Sequence, residues 1–487
     1  MKILLVCKGE YRYSFPAVAR TLKALFGCEV VAMTFTTPTA RMMEKSGAFH
    51  EVYNLAAHLK TFVRHHEADE CLQALERTEF AEMLNRMVYA DRILVRYPFE
   101  RVVKMMAGVL DFWEKLLARI QPNTILSEVA CATEWIGYSL ARSLNITYLV
   151  PCITPVTNRV FFTRSPEGGW EAAGELYNEL KGRDLNSEET KTAEEFLQVF
   201  RTRNTRHPCL KWDLRSPLDL DLDQLRKRLV RVPFRIHTCW EDGYFEIGSF
   251  DGVPPWEPVL HDLLRVVRHV YAEQFVFTRR IPNGRTLYFP LHMQPEYTTD
   301  VRAPFFTNQL ALIESIAKAA PIGSRLLVKD HPAMRGIRNL SYYRTLRSLY
   351  NVDLLSPAVD SHSLIAGSDV NLTITGTTAW ESILYEKPVI AFGPLFYGYF
   401  DQIYPCRNVA DLPELIPEAI RTFTPDRTLL LKFIWSFLAT AHNFQWGSAI
   451  RYPGVIEKGN LEQIAKAMFL DSKSRVAPQT DEISVTT

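Results

Sequence analysis

Four stretches in the second half of this sequence put polar groups where apolar runs stop. The first is "LLVKDHPAMRG" (326–336), in which Lys329 and Asp330 close an apolar run and His331 precedes Pro332. A residue before proline is pushed into extended conformation, so the His331 imidazole is aimed. Its N–H could donate to a phosphate and stabilise a leaving anion, and Lys329 could add charge nearby. The second, "YFPLHMQPEYTTD" (288–300), places His292, Gln294 and Glu296 after an apolar run, with Pro295 stiffening the turn. In the third, "LLSPAVDSHSLI" (354–365), Ser356 and Pro357 end a run and Asp360 opens a helix. The fourth, "TITGTTAWESILYEKPVIAFG" (373–393), reads strand, glycine turn, helix, strand. Gly376 lets a ligand come close to the backbone, and Thr377 and Thr378 start a helix whose free N–H groups and dipole suit an anion. A phosphate attached to a nucleoside fits that description, and Glu381 could accept hydrogen bonds from two ribose hydroxyls. The same residues also spell a capping box, Thr378-x-x-Glu381, which needs no ligand.

The first half offers carboxylates. Lys8, Gly9 and Glu10 follow the first apolar run, Glu128 ends another, and Glu134 falls in the first turn of the next helix. Glu128 or Glu134 could deprotonate a hydroxyl or attack a sugar carbon, and His292 is a third candidate for acid–base work. Glu134 could equally complement its helix dipole. A second His-Pro pair, His207-Pro208, serves as a control, because "RTRNTRHPCLKW" has no apolar strand before it. "DLDLD" (219–223) has the look of an Asp-x-Asp metal motif, but Asp223 reads better as a helix cap. Glu241-Asp242-Gly243 reads as a turn. No Walker loop, His-Glu-x-x-His or Gly-x-Ser-x-Gly occurs, and no metal or cofactor is expected.

These groups need a frame that brings strand ends together. "KILLVC" (2–7), "EVVAMTF" (29–35), "NTILSEV" (123–129) and "ITYLVP" (146–151) are strand-length apolar runs separated by helical spacing. The alternation resumes after Thr286 with "TLYFPL", "RLLVK", "NVDLL", "DVNLTIT" and "PVIAFG". The pattern implies two parallel, doubly wound sheets with a cleft, and ligands in such sheets sit beyond the carboxyl ends of strands. The expected division is a Rossmann-like unit over 1–160, a helical extension over 161–282, a second Rossmann-like unit over 283–440, terminal helices over 441–470 and a polar, disordered tail over 471–487.

The chain has 487 residues, enough for two or three domains. Lys plus Arg is 56 against 55 for Asp plus Glu, a balance that argues against nucleic acid as the ligand. Eight cysteines without a Cys-x-x-Cys pair suit a reducing, cytoplasmic setting. "MKILLVC" is too short for a signal peptide and reads as a strand, and no apolar run is long enough to span a bilayer.

"FPLHMQPEYTT", "LLVKDHP" and "TITGTTAWESILYEKPVIAFG", in this order and spacing, resemble the capsule polysaccharide (surface carbohydrate) biosynthesis family, related to the Kdo transferases of capsule synthesis. The resemblance covers about residues 285–395. It implies an α/β, GT-B-like glycosyltransferase with two Rossmann-like domains facing a cleft. It implies that His331 and Pro332 form the His-Pro motif at the donor phosphate, and that Gly376, Thr377, Thr378 and Glu381 line the nucleotide site. The Gln- and Gly-rich segment that ends in the Kdo transferases' catalytic aspartate has no counterpart here. A nucleotide-sugar co-substrate, CMP- or UDP-linked, and a glycan or glycolipid acceptor are the expected partners. The setting is cytoplasmic, compatible with peripheral attachment at the inner face of the plasma membrane. The rival expectations are a UDP-sugar 2-epimerase-like enzyme, a CDP-polyol phosphotransferase, and a non-catalytic binding subunit of an export complex.

Overall fold

The computed structural model of the protein describes residues 1–202, 233, 236–243 and 257–473. His207-Pro208, the aspartates of 219–223 and the tail from 474 lie outside them.

Two sheets form where the apolar runs predict them. The first contains β1 (Lys2–Cys7), β2 (Glu29–Thr34), β3 (Val52–Asn54), β4 (Thr124–Leu126), β5 (Thr147–Ile153) and β6 (Arg159–Thr163), joined by β13 (His442–Asn443). Its order is β13-β6-β5-β4-β1-β2-β3. The strands from β5 to β3 are parallel, while β6 and β13 add antiparallel pairs at one edge. The second contains β7 (Thr286–Pro290), β8 (Arg325–Lys329), β9 (Val352–Leu355), β10 (Val370–Thr373), β11 (Val389–Ala391) and β12 (Ile403–Pro405). Its order is β12-β11-β10-β7-β8-β9, all parallel. Helices cover both faces, so strand residues such as Ile3, Leu4 and Leu5 are all buried and the strands read as unbroken apolar runs. The architecture is the expected α/β class, with two largely parallel sheets covered by helices.

Strand order decides where a ligand can sit. In the first sheet the chain runs outward from β1 through β2 to β3, then returns to β4 on the other side of β1. In the second it runs from β7 through β8 to β9, then returns to β10 beside β7. The reversals open crevices at the carboxyl ends of β1 and β4 and of β7 and β10.

Some elements are shorter than their periodicity suggests. The amphipathic stretch 70–90 forms two helices, Ala68–Glu76 and Leu84–Ala90. The Thr78 hydroxyl bonds back to the Leu75 carbonyl at 2.8 Å and closes the first of them. The stretch 413–441 also divides, into Leu412–Thr422 and Arg427–Thr440. Pro425 breaks it, and Asp426 caps the second helix by accepting from the Leu429 N–H at 2.9 Å.

The chain crosses between the sheets more than once. Helix Arg427–Thr440 packs against helices Glu171–Lys181 and Ser187–Arg201. The segment after it returns to the first sheet, where β13 pairs with β6 and helix Lys458–Lys473 lies on helix Phe15–Phe26, with Phe26 and Phe469 stacked at 4.1 Å. In the other direction Val301, just beyond β7, is buried in the core of the first sheet. The Tyr297 hydroxyl donates to the Pro166 carbonyl at 2.6 Å, and Arg302 donates to the Gly168 carbonyl at 3.1 Å.

Candidate functional site

In the second sheet the site is built on the turn after β10. Helix Thr377–Leu384 begins with Gly376 as its N-cap, and no side chain caps it. The alternative reading of these residues as a capping box does not hold: Thr378 lies inside the first turn, and the Thr377 and Thr378 amides are left for another acceptor. The Gly376 N–H donates to Thr373 Oγ1 at 3.2 Å, and the Tyr397 hydroxyl donates to the Gly376 carbonyl at 3.4 Å. Thr377 is exposed and Thr378 is buried. A Cβ at residue 376 would stand 2.9 Å from His292 Nε2 and 3.0 Å from Thr373 Oγ1. Glycine is required here by that close approach, since φ is an ordinary −75°.

His292 sits behind this turn. It is 6% exposed, and its Nε2 lies 3.1 Å from Thr373 Oγ1. Burial, with the nearby charges of His331 and Arg338, drives its pKa down to about 3, so the ring is neutral. The expectation of a catalytic His292 is corrected on these grounds: the ring supports the glycine turn from inside. Gln294 is similarly engaged, donating to the Thr307 carbonyl at 2.7 Å and accepting from Gln309 at 2.6 Å. Glu296 precedes the short helix Tyr297–Asp300; burial raises its pKa, partly offset by a hydrogen bond from Thr298.

The loop after β8 presents His331. Its backbone is extended, φ −72° and ψ 132°. The ring Nδ1 accepts the Ala333 N–H at 3.1 Å, which requires an unprotonated Nδ1 and assigns the neutral ring's proton to Nε2. Burial and the neighbouring Lys329 and Arg338 charges lower its pKa to about 4. Nε2–H is thus a fixed neutral donor at physiological pH. Pro332 opens the 3-10 turn Pro332–Met334. Beneath it Asp330 is fully buried, paired to Arg338 Nε at 3.0 Å and hydrogen-bonded by the Tyr343 hydroxyl and the His331 N–H. Arg338 also donates to the His292 carbonyl, which ties the ends of β7 and β8 together. Lys329 is 5% exposed and donates to Ser361 Oγ at 2.6 Å. Burial lowers its pKa to about 8 against the opposing pull of Glu381 and Asp360.

Ser356 does not join this group. Its hydroxyl lies 2.8 and 3.0 Å from the two carboxylate oxygens of Glu273, and it is fully buried. The expectation that Ser356 meets a ligand is corrected, since the long helix Glu257–Phe275 supplies its partner.

In the first sheet the ends of β1 and β4 bring Lys8, Glu128 and Glu134 together. Glu134 is 0% exposed and accepts from Lys8 Nζ at 2.6 Å, Ser127 Oγ at 3.1 Å and the Ala130 N–H at 2.7 Å. Both of its oxygens are taken, so it anchors Lys8 and the helix entrance. Glu128 is only partly buried. It accepts from the Tyr11 hydroxyl. Burial raises its pKa, opposed by Lys8 and Tyr11 and assisted by the Glu134 charge. Glu128 and Glu134 both help to raise the pKa of Tyr297, whose first cause is burial, so the carboxylates lie beside the segment that crosses from the second sheet.

Sequence reasoning missed Tyr11, Asp91, Arg338 and Trp446. Asp91 is 1% exposed and accepts from the Ala132 N–H at 3.1 Å, holding the start of helix Ala132–Ser143. No spacing announces it, because its partner is 41 residues away. The acidic turn Glu241-Asp242-Gly243 has a structural role: Asp242 accepts from the Thr37 N–H at 2.9 Å.

Residues 282–400 match the family model described as capsule polysaccharide biosynthesis protein. No curated protein sequence matches the chain. Among solved structures the chain is similar to the Thermosulfurimonas dismutans KpsC beta Kdo 2,7 transferase, at 12% identity over 67% of this chain and 79% of that one, TM-score 0.34. It is also similar to the KpsC beta Kdo 2,4 transferase of the same organism, at 14% identity over 71% and 86%, TM-score 0.37. A Methanocaldococcus jannaschii UDP-GlcNAc 2-epimerase in complex with UDP-GlcNAc and UDP is similar at 11% identity over 90% and 98%, TM-score 0.29. None of these likenesses assigns a role to a residue.

Proposed function

We propose, from the premise that residues 282–400 belong to the capsule polysaccharide biosynthesis family, that the protein is a glycosyltransferase. It moves a sugar from a CMP- or UDP-linked donor to a surface polysaccharide or its lipid-linked precursor. The observation that carries this reading is the uncapped start of helix Thr377–Leu384 after β10 and the neutral Nε2–H of His331 after β8, both at carboxyl ends of strands in the second sheet. Together they supply donors for a phosphate without a counter-charge of their own. Glu381, in the same helix, is the group for the ribose, and Lys329 adds positive potential below it.

Of the three catalytic candidates, Glu128 best fits the base. Glu128 as a residue is only partly buried, while Glu134 and His292 are buried. Its raised pKa moves it toward the range where a base works near neutrality. In the reaction Glu128 takes the proton of the acceptor hydroxyl. That oxygen's electron pair forms the bond to the anomeric carbon. The bond from this carbon to the donor phosphate oxygen breaks, and its electron pair leaves with the nucleotide. Charge growing on the phosphate is met by the amides of Thr377 and Thr378 and by His331.

The test is thermal shift with CMP, CDP, UDP and GDP. A nucleotide at 100 times its Kd stabilises by about 2.7 kcal/mol if it binds only the native chain. His331→Ala is expected to remove most of that shift and leave the unliganded melting temperature nearly unchanged. No shift with any nucleotide, or an undiminished shift in the variant, overturns the reading. Release of free nucleotide with a glycosylated acceptor, rather than an epimerised sugar nucleotide, then identifies the reaction.

A further inference from the structure

The returning C-terminal segment places a tryptophan against the acceptor side of the first sheet. Trp446 is 6% exposed and packs in one core with Ile3, Leu5 and Phe15. Its position is set by the turn at Gly447, whose φ of +133° favours glycine, and by Asn460, which accepts from the Gln445 N–H at 2.7 Å. The Trp446 ring lies 6.0 Å from that of Tyr11, and Tyr11 stacks on Phe15 at 5.1 Å. Trp446 Nε1 donates to the Tyr11 oxygen at 3.3 Å, and the Tyr11 hydroxyl donates to Glu128 Oε1.

The direction of this chain is forced. An indole N–H can only donate. The Tyr11 oxygen must therefore accept from Trp446, and its own proton is directed to Glu128. One carboxylate oxygen, Oε1, accepts that proton, whereas Oε2 accepts no hydrogen bond among the described residues. The two oxygens of Glu128 are thus unequal. We propose that Tyr11, held by Trp446, is a positioning residue that fixes Glu128 with Oε2 presented to the acceptor hydroxyl, so that the segment after residue 440 completes the acceptor side of the site.

This inference rests on the reading of Glu128 as the base, but its first test needs no substrate. The groups whose charge bears on Glu128 are Lys8, Tyr11 and Glu134 on the first sheet, and Glu128 in turn acts on Cys152 and on Tyr297 from the crossing segment. The full chain labelled with 15N-tryptophan gives nine indole resonances at most. Trp446→Phe identifies the one at 446. That resonance is expected to move with pH as a carboxyl titrates above the ordinary glutamate value of about 4.3. The movement is expected to vanish in both Glu128→Gln and the isosteric Tyr11→Phe. A resonance that never titrates, or one that titrates unchanged in Tyr11→Phe, overturns the proposal.

Kinetics with a CMP- or UDP-sugar that releases nucleotide separate the two layers. Losing a hydrogen bond to a charged group corresponds to about 10–100-fold, so Tyr11→Phe is expected to lower kcat by that factor and shift the acidic limb of the pH profile, with donor KM unchanged. An unaltered profile in Tyr11→Phe beside an inactive Glu128→Gln rejects the positioning role and keeps the base. Full turnover in Glu128→Gln rejects the base itself.

Discussion

Gly376→Ala isolates the glycine turn on which the candidate nucleotide site depends. Backbone strain is not the issue, because φ is −75° and alanine adopts it readily. The added methyl meets His292 Nε2 at 2.9 Å, Thr373 Oγ1 at 3.0 Å and His292 Cδ2 at 3.4 Å. His292 cannot swing away easily, since its carbonyl is held by Arg338 and by Gln309 and its ring is buried. Overpacking of this kind costs about 1–3 kcal/mol. For a cooperative unit of 150–250 residues that lowers Tm by about 2–12 °C. Gly367→Ala is the control, because a Cβ there meets nothing within 4 Å. It is expected to change Tm little or raise it slightly. Differential scanning calorimetry reads both variants, and the same runs with CMP or UDP read the site. The nucleotide-induced shift is expected to shrink in Gly376→Ala and persist in Gly367→Ala. Equal melting temperatures and equal nucleotide shifts in the two variants would refute the reasoning.

Three other perturbations follow from the geometry. His331 and His292 have pKa values lowered to about 4 and about 3, against the ordinary 6.5, so below pH 6.5 the unfolded chain takes up protons that the folded chain refuses. Their contribution is therefore intact above pH 6.5 and is lost as pH falls toward 4, at about 1.4 kcal/mol per pH unit for each extra proton. Urea melts from pH 7 to 4.5 should show that His331→Asn flattens this loss; an unchanged slope counts against the assignment. Arg338→Ala strips the guanidinium from fully buried Asp330 and is expected to destabilise by about 3–5 kcal/mol, read by urea denaturation. A cost under about 1 kcal/mol would mean that Asp330 is not held by this pair. Ser356→Ala removes the hydroxyl donor to the Glu273 carboxylate, which keeps Arg279 at 3.4 Å, and is expected to cost about 1–3 kcal/mol, while isothermal titration with nucleotide is unchanged. A large loss of nucleotide affinity would return Ser356 to the ligand site.

Local chemistry made much of this protein legible in its sequence. Apolar runs of strand length gave β1, β2, β7 and β8, because a parallel strand buried on both faces has no polar alternation to hide it. Pro332 set the extended backbone of His331 by steric contact with the next residue alone, and the observed φ of −72° and ψ of 132° agree. Residues that act through such neighbours can be read in order along the chain. What a polar strand end touches is a different matter. Ser356 and His331 both follow apolar strands, yet one meets a glutamate 83 residues away and the other keeps an aimed Nε2–H. Thr378-x-x-Glu381 has the letters of a capping box, but the helix starts two residues too early for it to form. Trp446 reaches Tyr11 across 435 residues of chain, through a return that no local periodicity encodes. Burial decides these cases, since an enclosed donor must find whichever acceptor the packing brings to it. The sequence by itself determined which groups stand at strand ends, and only the tertiary structure decided which of them, among the described residues, had partners already.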